Sequence, residues 1–242
     1  MAPSLRKKVR ECPVTAEADE KQKAAMQLPL ELGYGQASSR DDLLISASVA
    51  PAVELIDRWP DWLAPVVLLV GPPGAGKSHI SGVWKSLSSA GDVSSAMRSG
   101  ATSEHQGTAF LFEDADREAF DETALFHLIN HVRQNNGTLL ITARSLPGQW
   151  GVSLADLKSR LAAATVVEIG APDDELLEQL VFKLFADRQL DVDDRVVRYI
   201  VTRMERSLEA ARGIVEAIDK LALARGRRIT RALAAEVLQQ HD

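Results

Sequence analysis

The chain has 242 residues, 45% hydrophobic and 26% charged, with a net charge of −6 and an isoelectric point near 5.5. The acidic balance excludes the broad basic field that drives tight, salt-sensitive nucleic-acid binding, so a protein partner is expected ahead of direct sequence-specific DNA contact. Cys12 is the only cysteine, which excludes an internal disulfide framework and a cysteine-based zinc site and suits a reducing cytoplasm; no apolar run reaches the roughly 18 residues of a membrane span.

Residues 1–25 are polar and of mixed charge, and are expected to form a disordered tail. Arg6, Lys7, Lys8 and Arg10 precede no apolar stretch, which argues against a secretory signal, and Met26 is a candidate alternative start. Leu43, Leu44 and Ile45 suggest a short strand-like piece. Val49, Val53 and Ile56 then follow a helical period that ends before Pro60.

The apolar run Val66–Val70 reads as a buried strand, and it leads into GPPGAGKS at residues 71–78. This is the spacing of a phosphate-binding P-loop between a strand and a helix. Gly71, Gly74 and Gly76 let backbone N–H groups curl around phosphates without an obstructing Cβ; Pro73, Ala75 and His79 complete the turn and the first residues of its helix. Lys77 is expected to reach the β- and γ-phosphates of ADP or ATP, and the Ser78 hydroxyl to ligate Mg²⁺.

Further strands are predicted over 108–112, 138–142 and 165–169, with helices over 77–89, 121–134 and 153–161. Residues 90–107 are rich in Ser and Gly, and are expected to form a long loop with at most one short edge strand. Strand and helix in alternation imply a parallel sheet covered on both faces. From Pro172 on, helical patterns run over 173–188, 192–205, 207–224 and 230–239, with Asp191, Ser207, Gly226 and Thr230 as capping candidates.

Glu113 and Asp114 end the strand 108–112, where acids hold Mg²⁺ through water and orient the attacking water. The usual pair begins with Asp; Glu113 carries one more methylene, which displaces its carboxylate by more than about 1 Å. Thr142 ends the next strand at the point where a polar residue senses the terminal phosphate in AAA+ ATPases, with Arg144 just beyond. Arg160 lies at the end of the helix 153–161.

These elements, in this order, resemble the AAA+ domain of the bacterial replication initiator DnaA, and more closely the Hda-type regulators that inactivate it. The resemblance runs from about residue 27 to the C-terminus, and its narrower part lies in LLITARSLPGQWGVSLADLKSRL (139–161) and RMERSLEAARGIVEAIDKLALARGRRIT (203–230). It implies an α/β AAA+ P-loop NTPase fold, with a five-stranded parallel sheet in a core of 38–171 and an all-helical lid over 172–242. It also implies a clamp-binding segment over 26–37, in which Gln27, Leu28, Pro29 and Leu30 dock on the DNA polymerase sliding clamp, the two leucines entering an apolar groove while Gln27 fixes register. Arg160 matches the family's arginine finger, which would complete the active site of DnaA and stimulate hydrolysis of its ATP. The implied partners are therefore the DnaA AAA+ domain and the clamp, with self-association also expected. The chain ends after the lid, where DnaA continues into a DNA-reading domain, so negative control of initiation is the expected function.

The sequence departs from this family at three places. Glu209 stands where the lid usually has an arginine, Arg206 and Arg212 being the nearest; Arg144 stands where an acid is common; and Glu113 opens the acidic pair. Weak or absent intrinsic hydrolysis and a structural nucleotide, preferably ADP, are expected from these changes. A free-standing AAA+ ATPase, such as a helicase loader or DNA-remodelling factor, and an anchoring protein without effect on nucleotide state remain the alternatives. His127 and His131 have the spacing of a zinc helix but lack its glutamate, Leu128 standing in between, so a plain helix surface is expected. Arg225, Arg227, Arg228 and Arg231 form a basic cluster expected to be an exposed loop.

Overall fold

The computed structural model describes Arg40, residues 43–100 and residues 107–241. The tail, Cys12 and the segment Gln27 to Leu30 lie outside the described residues. Five parallel strands form one sheet in the order β2-β3-β4-β1-β5: β1 (Val66–Val70), β2 (Gly91–Asp92), β3 (Ala109–Phe112), β4 (Thr138–Ala143) and β5 (Thr165–Glu168).

The sheet is continuous because its inner strands are apolar on both sides. Every residue of β1 and β3 is buried. Along β1 the side chains alternate between two cores. Val67 and Leu69 pack with Leu111 and Leu140 under α1 (Ala50–Asp57) and α2 (Lys77–Ser88). Val66, Leu68 and Val70 pack with Phe110, Phe112 and Ile141 under α3 (Ser94–Ser99), α4 (Glu122–Gln134) and α5 (Ala155–Ala162). This period of two, with a helical layer on each face, accounts for an unbroken apolar strand in a parallel sheet. The registers Val70↔Ala143 and Phe112↔Ile141 bring the C-terminal ends of β1, β4 and β3 side by side.

The lid consists of α6 (Asp174–Asp187), α7 (Asp194–Val201), α8 (Leu208–Arg225) and α9 (Arg231–His241) around its own apolar cluster, in which Phe185, Val197, Ile200, Val215 and Ile218 are fully or almost fully buried. Ser207 caps α8 by accepting from the Ala210 N–H at 2.9 Å, and Gly226 ends that helix in the left-handed region.

Three local expectations are corrected. Leu43, Leu44 and Ile45 form no strand: Leu43 is buried in the α1/α2 core, Leu44 packs against the lid cluster, and Ile45 is exposed. Residues 90–107 contain not only the edge strand β2 but also α3, which Met97 anchors in the core. The second lid helix is shorter than 192–205 at both ends: Asp193 rather than Asp191 caps it, accepting from the Arg195 N–H at 2.7 Å, and it stops at Val201.

Candidate functional site

Local sterics set the P-loop turn. A Cβ on Gly71 would lie 2.6 Å from the carbonyl oxygen of Ile169, one on Gly74 would collide with the Ser207 side chain, and Gly76 opens α2 at φ 97°. The Gly71 N–H donates to the Ala143 carbonyl at 3.2 Å, fastening the turn to β4. The first turn of α2 points its amides at the mouth, since the first amides of a helix have no intrahelical acceptors.

Lys77 is buried, and its Nζ donates to the carbonyls of Gly71 (2.7 Å) and Pro72 (2.9 Å). Burial pushes the Lys77 ammonium below its ordinary value; Asp114 opposes that shift, Arg144 reinforces it, and Asp116 opposes it. Ser78 is exposed beside the mouth, and its carbonyl lies 3.2 Å from Ser81 Oγ.

At the end of β3, hydrogen bonds fix the acidic pair from three sides. Glu113 Oε1 accepts from the Ser81 hydroxyl at 2.7 Å, its N–H donates to Ser94 Oγ at 2.9 Å, and its carbonyl accepts from Arg98 at 2.7 Å. Asp114 takes φ +51°, a left-handed conformation that Asp tolerates, and its N–H donates to the buried Thr142 hydroxyl at 2.9 Å. Its carboxylate pairs with Arg117 at 3.2 Å.

No group of three or more His, Cys, Asp or Glu side chains gathers to hold a metal among the described residues. One hydroxyl and two carboxylates on neighbouring elements fit Mg²⁺ nonetheless, because that ion keeps several waters and takes the rest of its ligands from nucleotide phosphates. Ser78, Glu113 and Asp114 are the residues in position to serve it.

Sequence reasoning missed Asp116. Its carboxylate accepts the Arg144 N–H at 3.0 and 2.9 Å, the Ser145 N–H at 2.8 Å and the Ser145 hydroxyl at 2.7 Å, so it clamps the loop that follows β4. Burial works against its charge, but these hydrogen bonds outweigh burial and hold the carboxyl below the usual range.

The lid meets the P-loop directly. The Leu208 N–H donates to the Gly74 carbonyl at 3.0 Å, so α8 begins on the P-loop turn. Glu209 lies in an open cleft with Pro73 and Gly74. Arg212, one turn further along, lines a separate apolar cleft with Leu43, Val53, Gly76, His79 and Leu176. Arg206 instead pairs with Asp174 at 2.7 Å. Of the two arginines flanking Glu209, only Arg212 therefore faces the P-loop helix. Its cleft encloses about 40 Å³, room for little more than water.

Arg160 stands apart from this cluster, in the last turn of α5, with its guanidinium over the Phe126 ring of α4 at 5.1 Å. His127 is exposed and His131 meets Asn135 at 3.2 Å. In the basic cluster, Arg225 forms a two-pronged pair with Glu236 at 2.6 Å, and Arg231 lies over Tyr199 at 4.5 Å.

Comparison with known proteins narrows the family. Residues 173–238 match the Hda lid domain. An uncharacterised protein of Haemophilus influenzae is 26% identical over 118 residues, 48% of this chain and 51% of that protein. The chromosomal replication initiator DnaA of Campylobacter jejuni is 23% identical over 116 residues, 48% of this chain and 26% of that one. The matched segment thus spans about half and about a quarter of these relatives. Among solved structures, domain III of Thermotoga maritima DnaA superposes with a TM-score of 0.69 at 15% identity, covering 84% of this chain and 96% of that one. AMPPCP-bound DnaA from Aquifex aeolicus gives 0.65 at 14% identity, covering 78% and 67%. The chain thus has a P-loop core with the AAA+ fold seen in DnaA domain III, followed by a segment that matches the Hda lid domain.

Proposed function

We propose that this protein is a negative regulator of chromosomal replication initiation, which docks on the polymerase sliding clamp through Gln27, Leu28, Pro29 and Leu30 and stimulates hydrolysis of DnaA-bound ATP through Arg160. The observation that carries this reading is the Hda-type lid joined to a P-loop core. Arg160 supports it: among the described residues no carboxylate pairs with its guanidinium, which rests on an aromatic face near the end of α5. A finger supplied in trans to another protein's nucleotide raises phosphoryl-transfer rates by roughly 10³ to 10⁵.

In this reading the protein's own site binds ADP or ATP with Mg²⁺. The P-loop turn formed by Gly71, Pro73, Gly74, Ala75, Gly76 and Lys77 takes the phosphates, with His79 following in the first turn of α2. Mg²⁺ would neutralise phosphate charge, with Ser78, Glu113 and Asp114 positioned to hold it. Intrinsic turnover is slow because the Ser81 hydroxyl holds Glu113, and because Arg203, the lid arginine that lines the cleft with Pro73 and Gly74, is engaged by the Thr202 hydroxyl at 3.0 Å and the Tyr199 ring. The nucleotide then stabilises the form that docks on DnaA, and copies of the chain associate through the same surface.

The test is single-turnover hydrolysis of ATP prebound to DnaA, with and without DNA-loaded clamp, for the wild type and Arg160→Ala. Clamp-dependent acceleration that the substitution abolishes supports the reading; no acceleration under any condition sinks it. The second reading, a free-standing AAA+ ATPase, draws on the juxtaposition of Lys77, Asp114 and Thr142 in one chain. It requires fast turnover by the protein alone that is lost in Lys77→Ala.

A further inference from the structure

We propose that the outward face of α7 and the start of α9 form a phosphate-binding surface of the lid, on which Arg195, Arg198, Arg203 and Arg231 hold the backbone of duplex DNA without reading its sequence. This role deepens the reading above, since a protein docked on a DNA-loaded clamp works beside a duplex, but it is tested without clamp or DnaA so that the two fail separately.

Charge is unevenly shared along the chain. The whole carries a net −6, yet from Arg195 to Arg231 there are ten basic and four acidic residues. Arg195, Arg198, Tyr199, Thr202 and Arg203 recur at the spacing of one helix face, opposite Val196, Val197, Ile200 and Val201, which the lid core buries. Arg195, Arg198, Arg203 and Arg231 are exposed, and among the described residues none of them forms an ion pair. Acids stand at the two ends of this face: Asp193, whose carboxylate is taken up in capping the helix, with Asp194 beside it, and Glu205.

The arginines are gathered from different elements. Arg203 and Arg231 lie over one ring, that of Tyr199, at 4.1 and 4.5 Å, and Arg203 also donates to the Thr202 hydroxyl at 3.0 Å. The ring attracts both cations, but they repel each other, and an anion bound between them relieves that repulsion. A guanidinium over a ring keeps donors along its edge, and their forked geometry matches phosphate oxygens. From Arg195 to Arg203 the face runs about 12 Å, the axial rise of about three to four phosphates on one strand.

Chemistry selects the partner. Single-stranded nucleic acid binds by stacking bases on open aromatic faces, and the Tyr199 ring is already covered by guanidiniums. A folded protein partner needs apolar side chains at the centre of its interface, and the large exposed hydrophobic of the lid, Leu223, lies on α8. Phosphates need neither, and contacts to them position a protein without reading bases. Because the chain as a whole is acidic, the contact is weak alone and gains from any docking that holds a duplex close.

The experiment titrates a fluorescent duplex of about 20 base pairs with the full chain, following anisotropy between about 50 and 200 mM salt. Arg203 also borders the cleft with Pro73 and Gly74, so it is left in place and the variant is Arg195→Ala/Arg198→Ala/Arg231→Ala. An equal-charge control, Arg58→Ala/Arg133→Ala/Lys158→Ala, removes three exposed cations elsewhere. The lid variant is expected to bind about tenfold or more weakly at low salt, equally for two unrelated sequences, and to lower the slope of log affinity against log salt by about three, while the control changes affinity by less than about twofold. A wild type that leaves the duplex free at about 100 µM protein and low salt overturns the proposal, as does a lid variant that melts and binds like the wild type, or a control that loses as much as the lid variant. Tighter binding of the single strand, or of a poly-glutamate peptide of equal charge, than of the duplex also overturns it.

Discussion

The hydroxyl of Ser81 donates to Glu113 Oε1 at 2.7 Å, joining the P-loop helix to the end of β3 three residues beyond Ser78. Ser81 is completely buried and Glu113 half-buried, so this bond ties two motifs that lie 32 residues apart in the chain. It draws the longer acidic side chain back toward α2.

Replacing Ser81 by Ala removes the donor and leaves the carboxylate facing a buried methyl group. A loss of about 1 to 3 kcal/mol is expected, the range for stranding a buried partner of a charged group. Urea unfolding monitored by circular dichroism reads it directly; an unchanged midpoint would mean that water replaces the hydroxyl at no cost.

Two glycines of the P-loop and the helix it opens should respond in opposite directions. Gly74 sits at φ +70° against Ser207, so Gly74→Ala strains the turn and pushes the lid off it, costing more than about 1 kcal/mol and weakening nucleotide binding. Gly82 lies inside α2 with nothing within 4 Å of an added Cβ, so Gly82→Ala gains about 0.5 to 1 kcal/mol. Thermal unfolding of the pair side by side checks both signs.

Acid should act through Asp116. Its folded pKa lies below the unfolded value near 3.8, so the stability it contributes is complete above that value and disappears as pH falls through the folded one. Wild type should therefore exceed Asp116→Asn in urea midpoint at pH 7, with the gap narrowing below about pH 3.8. A gap that widens on acidification would show that another group dominates.

Arg212 shares a cleft with Gly76 and His79, away from Pro73 and Gly74. That cleft has no room for a ligand group, so Arg212→Ala should shift ADP and AMPPCP affinity by less than about twofold each. Competition binding measures the two affinities, and a loss confined to AMPPCP would put this arginine on the terminal phosphate instead.

Strands β1, β3 and β4 were legible from the chain alone, within about a residue at each end, because each is an apolar run and the two-sided core demands that pattern; the edge strand β5, Thr165–Glu168, was legible from its β-branched residues although none of them is buried. The P-loop was equally plain, since its glycines, Lys77 and Ser78 are contiguous. The helix α3 was not: its six residues Ser94–Ser99 include one large apolar side chain, Met97, and the helix holds because the core closes over that residue. Asp193 and Asp191 are alike as capping candidates until the path of α7 selects one.

The site divides along the same line. Motifs carried by neighbouring residues depend on local backbone geometry, which spacing encodes. Asp116 meets Arg144 and Ser145 across 28 and 29 residues, Thr142 meets Asp114 across 28, and Ser81 meets Glu113 across 32. Those meetings exist because parallel pairing sets β3, β4 and β1 in one register with their carboxyl ends together. Arg212 enters its cleft, and Glu209 takes the side beside Pro73 and Gly74, because α8 starts on the Gly74 carbonyl and its rotation fixes which face each residue occupies. Pairing register and helix rotation come from long-range packing, to which no short stretch of residues gives access.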